Sequence, residues 1–114
     1  MGSSLIYWLL GGIVLFFIIK KLSFKFASKG VGMKIKKGAK IIDVRTPEEF
    51  RLGHYPDAVN IPVDQIAGRI SELGQDKSVP IVAYCASGGR SASALRTLVA
   101  SGFTDVTNAG GLSD

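Results

Sequence analysis

One short segment of this sequence, 84–91 (YCASGGRS), combines the residue types that a thiol nucleophile needs. It holds Cys85, the only cysteine of the chain, and the glycine pair Gly88–Gly89. Glycines permit left-handed backbone angles, which allow successive N–H groups to point inward as an anion-binding nest. Arg90 adds a positive charge, and the helix predicted to begin near Ser91 adds the positive end of its dipole. These features favour a thiolate at neutral pH, with the pKa of the cysteine below the ordinary ~8.5.

We predict that Cys85 is the catalytic nucleophile and that the six residues after it bind the substrate. These six residues are Ala86, Ser87, Gly88, Gly89, Arg90 and Ser91. The competing interpretation is a small buried cysteine at a strand end, the commonest environment of a lone cysteine. The glycines and the arginine at a predicted helix start favour the functional interpretation. With one cysteine and one histidine, the chain cannot form an internal disulfide or a four-ligand cysteine–histidine zinc site, and we expect no metal.

The elements that must position this segment are short apolar strands alternating with helical patterns. Strands are predicted at 40–44, 58–61, 79–84 and 105–107, and helices between Thr46 and Gly53, over 66–73 and over 91–101. The first helix has Thr46 suited to the N-cap and Pro47 to the first turn. The alternation predicts an α/β fold with a central parallel sheet flanked by helices. Ligands bind at the carboxyl ends of the strands in such a sheet, which is where residues 84–91 lie.

The amino-terminal part of the chain has the composition of a membrane anchor. Residues 2–19 carry no charged side chain, and as a helix they reach about 27 Å, close to the ~30 Å of a hydrocarbon core. A cleavable signal peptide is disfavoured because the lysines follow the apolar run and no Ala-x-Ala site is present. We predict a transmembrane helix at 1–21 that contacts membrane lipid through residues 2–21. An interfacial or uncleaved helix stays open as an alternative.

The basic charge of the chain follows this apolar run. Residues 20–40 hold eight lysines and no acidic residue, whereas residues 41–114 hold six basic and nine acidic residues. The net charge of +5 therefore does not come from a basic domain surface, and we expect no nucleic-acid partner. We predict a basic juxtamembrane tether at 22–40, which can include a helical turn or two, and a folded domain at 41–114. Positive loops stay on the cytoplasmic side, so we expect a single-pass membrane protein with its domain in the cytoplasm.

From Ile41 to Gly111 the sequence resembles the single-domain rhodaneses, a group of rhodanese-like sulfurtransferases. The resemblance is carried by IDVR at 42–45, EEF at 48–50, GHYPDAVNIP at 53–62, the segment 84–91, GF at 102–103 and NAGG at 108–111. It implies a parallel sheet flanked by helices and a Cys85 that carries sulfur as a persulfide, without a metal or organic cofactor. The implied donor is a small sulfur-containing anion such as thiosulfate, or a persulfide. The implied acceptor is cyanide or a thiol, with a protein acceptor as a further option.

Three other functions compete with sulfur transfer, and one of them is an electrostatic membrane-surface adaptor that uses the lysines of residues 20–40. The cysteine phosphatases that resemble rhodaneses have five residues between cysteine and arginine, whereas four lie between Cys85 and Arg90. The shorter loop suits a sulfane sulfur better than a phosphate ester. The third alternative is a non-catalytic rhodanese-fold module that binds partners or senses redox state at the membrane. The complete loop from Cys85 to Arg90 argues against it, because a binding module needs no nucleophile in an anion nest.

Several polar residues outside the loop have plainer interpretations. We expect His54 to be structural, because it lies in a turn and an ionised thiol needs no general base. Asp43 and Arg45 are expected to hold the fold, with Arg45 paired to Glu48 or Glu49 and Asp43 accepting from nearby backbone N–H groups. We therefore predict no direct catalytic role for these residues.

Overall fold

The computed structural model describes residues 25–26 and 30–113, which form five strands, three α-helices and two 3₁₀ segments. In chain order they are β1 (Lys25–Phe26), α1 (Val31–Lys36), β2 (Lys40–Asp43), α2 (Pro47–Leu52), β3 (Val59–Asn60), the 3₁₀ segments Val63–Gln65 and Ala67–Leu73, β4 (Ile81–Cys85), α3 (Gly89–Ala100) and β5 (Val106–Ser113). The membrane anchor predicted at 1–21 lies outside the described residues. Within them, every helix is too short or too polar to cross a bilayer.

All five strands join one sheet in the order β1-β5-β4-β2-β3. The strands from β2 to β5 pair in parallel, as predicted, and β1 runs antiparallel to β5. Parallel neighbours end together, so Asp43 lies beside Tyr84 and Cys85 lies beside Gly111. We call this side of the sheet the carboxyl edge. The predicted nucleophile is therefore at the edge where open α/β sheets bind their ligands.

The hydrophobic core has one layer on each face of the sheet, and β4 contributes to both. Every residue of β4 is buried, as is usual for a central parallel strand. Because side chains alternate along a strand, Cys85 belongs to one layer and Tyr84 to the other. Helix α3 packs on the first layer through Ala94 and Leu98, and α1 packs on the second through Val31. The end of β4 is thus held from both faces.

Helix α1 lies within the predicted tether, 22–40. Its Val31 is buried in the same core layer as Tyr84, and the Nζ of Lys34 lies 2.7 Å from a carboxylate oxygen of Asp105. The helix therefore packs on the sheet as part of the folded unit. The predicted domain start at residue 41 stays a prediction. The contacts of α1 show that it packs on the sheet, but they do not show whether residues 41–114 fold without it.

The α-helix predicted over 66–73 is wrong in type. This part of the chain forms the second 3₁₀ segment, which is interrupted at Arg69, with φ −123° and ψ 17°. Ile66 and Leu73 are buried, as their spacing indicates. The contacts of these two side chains with the core decide the local conformation, and short 3₁₀ turns are common in such connections.

The last strand is longer than the predicted 105–107, because β5 continues to Ser113. Its register with β4 shifts between the pairs Ala83–Asn108 and Tyr84–Gly110, which leaves Ala109 as an extra residue. Such a bulge re-aims the strand beyond it. Glycine is a poor strand former, so propensity alone does not extend the strand through the glycines at 110–111.

Candidate active site

The loop between β4 and α3 is built around the sulfur of Cys85. Cys85 is fully buried, and the backbone N–H of Gly88 donates to its Sγ at 2.9 Å. Gly88 takes the left-handed conformation at the N-cap of α3, with φ 101°, whereas Gly89 already begins the helix. Of the two glycines that permit a left-handed conformation, only Gly88 adopts it. One left-handed residue is enough to turn an amide toward the sulfur.

The residues predicted to bind the substrate line this loop from its surface to its base. Ala86, Ser87 and Gly89 are exposed, Gly88 and Arg90 are half-buried, and Ser91 is buried beneath the loop. The Oγ of Ser91 lies 3.4 Å from the Sγ of Cys85. Gly88 and Ser91 thus contact the sulfur, whereas the guanidinium of Arg90 binds Glu49, and the role of the six residues in binding substrate stays a prediction.

Two opposing effects act on the thiol. Burial raises the pKa of Cys85, since a charge is less stable away from water. Hydrogen bonds from the hydroxyl of Ser91 and from the backbone N–H groups of Ser91, Ser87 and Gly88 lower it, and together they are the stronger influence. The pKa of Cys85 therefore lies below its ordinary value. This is the direction that a nucleophilic thiol requires.

Arg90 points its guanidinium at Glu49 of α2. The Nη1 and Nη2 atoms of Arg90 lie 2.6 Å and 3.0 Å from the two carboxylate oxygens of Glu49. The Arg90 hydrogen bond, followed by that from the backbone N–H of Thr46, lowers the pKa of Glu49 to about 2. The carboxylate thus offsets most of the charge that Arg90 brings to the loop. The pair also ties the start of α3 to α2.

The pairing of Arg45 with Glu48 or Glu49 is a wrong prediction. Arg45 instead binds the buried Asp43, with its Nη2 2.7 Å from the Oδ2 of Asp43. The preference has a local cause, because the backbone N–H of Arg45 donates to the same carboxylate at 2.9 Å and fixes it two residues away. Glu49 is left for Arg90, and Glu48 pairs with Arg51.

Asp43 also holds the end of β4 in place. The hydroxyl of Tyr84 donates to the Oδ2 of Asp43 at 2.7 Å and accepts from the backbone N–H of Tyr55 at 2.9 Å. Burial is the main reason why the pKa of Tyr84 is raised, so the phenol stays protonated. These contacts agree with a structural role for Asp43 at the end of β4. His54 likewise stacks on Phe50 and contacts the carbonyl oxygen of Phe50 through Nδ1.

Two residues of β5, Asn108 and Gly111, lie against the loop; they carry part of the family resemblance in the sequence but were not predicted as site residues. The Oδ1 of Asn108 lies 2.6 Å from the Oγ of Ser91, and Gly111 packs directly against the backbone of Ala86. A usable signal was present, because every parallel strand sends its carboxyl end to the same edge. Asn108 follows the predicted strand 105–107 in the same way that Cys85 follows 79–84.

Other features of the described residues lie away from this loop. A cavity of about 480 Å³ is lined from α1, β2, β3 and the second 3₁₀ segment, and none of its lining residues belongs to 84–91. Across 25–26 and 30–113, no three histidine, cysteine, aspartate or glutamate side chains are placed to hold a metal ion together.

The structure places a cysteine with a lowered pKa in the turn after β4, at the carboxyl edge of a parallel sheet, which is an arrangement typical of α/β proteins that use a thiol as nucleophile. The family model of the rhodanese-like domain matches residues 30–114. The chain therefore belongs to the rhodanese family. Relatives that are named as sulfurtransferases support sulfur transfer as the general chemistry. The match begins at residue 30 and so includes α1.

Named relatives agree with this assignment. The chain is 41% identical over 73 residues to the thiosulfate sulfurtransferase PspE of Escherichia coli (strain K12), which covers 64% of this chain and 70% of the relative. It is also 41% identical over 76 residues to the thiosulfate sulfurtransferase GlpE of Pseudomonas syringae pv. syringae, and this alignment covers 67% of this chain and 70% of the relative. A solved structure of a rhodanese with anions from E. coli superposes with a TM-score of 0.63 at 39% identity, covering 66% of this chain and 88% of that one.

Proposed function

We propose that this protein is a thiosulfate sulfurtransferase that carries a sulfane sulfur on Cys85. The observation that carries the proposal is the placement of the Cys85 Sγ, 2.9 Å from the N–H of Gly88 and next to the hydroxyl of Ser91. Amide and hydroxyl donors stabilise an anionic sulfur, whether it is a thiolate or the terminal sulfur of a persulfide. The names of the two sulfurtransferase relatives support thiosulfate as the donor.

In the first step, the Cys85 thiolate attacks the outer sulfur of thiosulfate. A new sulfur–sulfur bond forms at Cys85, the sulfur–sulfur bond of thiosulfate breaks, and sulfite leaves with the electron pair. A persulfide donor reacts in the same way and releases a thiolate. No proton has to be removed during the attack, because the nucleophile is already ionised. The step therefore needs no general base, which agrees with the structural position of His54.

In the second step, an acceptor attacks the outer sulfur of the Cys85 persulfide. Cyanide is converted to thiocyanate, and a thiolate is converted to a new persulfide. In both cases the sulfur–sulfur bond at Cys85 breaks, and the Cys85 thiolate is the leaving group. The donors that stabilise this thiolate make it a better leaving group. Because Cys85 is covered by the loop, we expect the exposed residues Ala86 and Ser87 to shift when a donor or acceptor reaches the sulfur.

The test of this function is the mass of the intact protein after treatment with thiosulfate. We expect the mass of one added sulfur atom, and we expect cyanide or a small thiol to remove it. The chain has one cysteine, so no second thiol can attack the persulfide and the loaded form should persist until an acceptor is added. A folded protein that acquires no sulfur would contradict the proposal and favour the alternative of a binding or redox-sensing module.

We further propose that residues 1–21 anchor the protein in a membrane, with the rhodanese-like domain on the cytoplasmic side. The apolar run and the lysines that follow it support this placement. The topology adds a consequence, because β1 pairs Lys25 with Ser113 at the carboxyl edge of the sheet. The chain thus enters the domain on the same side as the Cys85 loop. Such an anchor would hold the sulfur-transfer site toward the membrane surface.

Protease protection tests the orientation of this anchor. Protease added outside right-side-out vesicles should leave residues 41–114 intact, because a cytoplasmic domain is sealed inside. The same protease should cut the domain after the vesicles are opened with detergent, which is the control for accessibility. Cleavage of the domain before detergent is added would contradict the orientation. If the vesicles float and the protein stays behind in the soluble fraction, the anchor is contradicted.

A further inference from the structure

The side chain of Asn108 in β5 contacts the Cys85 loop but takes no part in the proposed sulfur-transfer steps. Its Oδ1 lies 2.6 Å from the Oγ of Ser91, and that Oγ lies 3.4 Å from the Sγ of Cys85. Ser91 is fully buried, so the three side chains form a chain of contacts beneath the loop. We propose that Asn108 is a positioning residue that controls the reactivity of Cys85 through the hydroxyl of Ser91.

The control arises because the hydroxyl of Ser91 has a single hydrogen to donate. Three acceptors surround it: the Oδ1 of Asn108, the carbonyl oxygen of Gly88 at 3.1 Å and the sulfur of Cys85. When Cys85 is a thiol, its S–H donates to the Oγ of Ser91 and the hydroxyl of Ser91 donates to Asn108. When Cys85 is a thiolate, the hydroxyl turns to the sulfur and its bond to Asn108 is lost. Asn108 and the thiolate therefore compete for one hydrogen.

The side-chain amide of Asn108 is held in the orientation that this competition requires. Its Oδ1 accepts from the backbone N–H of Gly110 at 2.9 Å, and its Nδ2 lies 3.2 Å from the carbonyl oxygen of Gly88, to which it donates. A flipped amide would place a donor against the N–H of Gly110 and an acceptor against the carbonyl of Gly88. The acceptor face of Asn108 is thus fixed toward Ser91.

The charged groups around the loop are paired with one another and do not depend on Asn108. Arg90 binds Glu49 on one side, and Arg45 binds Asp43 on the other. Changes at Asn108 and Ser91 leave both pairs in place. A shift in the ionisation of Cys85 caused by these changes therefore does not come from a broken ion pair, and the double variant separates the hydrogen-bond chain from a change in the shape of the loop.

The rate of alkylation of Cys85 by iodoacetamide, measured against pH, tests this proposal. We expect Ser91→Ala to raise the midpoint by about one pH unit, because the thiolate loses its hydroxyl donor. We expect Asn108→Ala to lower the midpoint in the protein with Ser91, because the shortest competing contact of the hydroxyl is removed and only the carbonyl oxygen of Gly88 still competes with the sulfur. In the double variant Ser91→Ala/Asn108→Ala, the midpoint should equal that of Ser91→Ala alone.

Each outcome decides the proposal. An equal shift from Asn108→Ala with and without Ser91 would mean that Asn108 acts only on the shape of the loop, and no shift would mean that it has no role. If Asn108→Ala unfolds, Asn108→Asp keeps the size and an acceptor oxygen of the side chain, while it adds a negative charge and loses the donor to the carbonyl oxygen of Gly88. The charge raises the midpoint with or without Ser91, and we expect the rise to be smaller when Ser91 is replaced, because the part transmitted through the hydroxyl is then absent. The inference rests on Cys85 as the nucleophile of the proposed function, but alkylation needs no sulfur donor. A failure of sulfur transfer is therefore distinguishable from a failure of this mechanism.

Discussion

Replacing Cys85 by serine is expected to abolish persulfide formation and to reduce sulfur transfer from thiosulfate by at least about 10³-fold. Serine has nearly the shape of cysteine and can accept the N–H of Gly88, so the loop should keep its conformation. Its hydroxyl stays protonated at neutral pH, and oxygen cannot carry the sulfane sulfur through this exchange. The loss should therefore be a loss of chemistry without a loss of the fold.

The measurement is the intact mass after thiosulfate treatment, combined with thiocyanate production from thiosulfate and cyanide. Ser93→Ala on the same helix is the matched control, because the side chain of Ser93 makes none of the contacts of the Cys85 loop. We expect this control to keep the rate of the unchanged protein. Circular dichroism must show that Cys85→Ser is folded. A sulfur adduct on folded Cys85→Ser would place the sulfur on another residue and contradict the mechanism.

The local parts of this site could be predicted because their causes are local. Thr46 forms the predicted N-cap, and it shares a capping box with Glu49. The end of β4, the left-handed Gly88 and the start of α3 follow from a strand, a glycine and a helical pattern within a few residues of each other. Such short-range signals place Cys85 at the carboxyl edge before any tertiary contact is known.

The partners of the charged residues could not be predicted in the same way. Glu49 has Arg45 four residues before it in the sequence, yet it pairs with Arg90, which is forty-one residues away. The choice depends on how α2 approaches the loop, and no spacing along the chain encodes that approach. The contact between Asn108 and Ser91 also depends on the bulge at Ala109, which sets where β5 points.

Gly111→Ala is expected to impair the site through the backbone, at a position that carries no functional group. A methyl group on Gly111 would be pressed into the backbone carbonyl oxygen of Ala86, well inside van der Waals contact, and would lie 3.2 Å from the Cα of Ser87. These are main-chain atoms that cannot rotate away, so either the loop or β5 has to move. Overpacking of this kind costs about 1–3 kcal/mol of folding free energy. Displacement of the loop by about 1 Å can reduce the rate by about 10²-fold.

The matched control is Gly32→Ala, which adds the same methyl group on α1. Among the described residues, an added Cβ at Gly32 meets no atom within 4 Å outside its own helix and chain neighbours, and alanine favours a helix over glycine by about 1 kcal/mol. We therefore expect Gly32→Ala to keep the full rate of sulfur loading and Gly111→Ala to lose most of it. Thermal unfolding of both variants separates a displaced loop from an unfolded domain. If folded Gly111→Ala loads sulfur within about twofold of the unchanged protein, the close packing of β5 on the loop does not position Cys85, because a twofold effect is only about 0.4 kcal/mol of activation free energy.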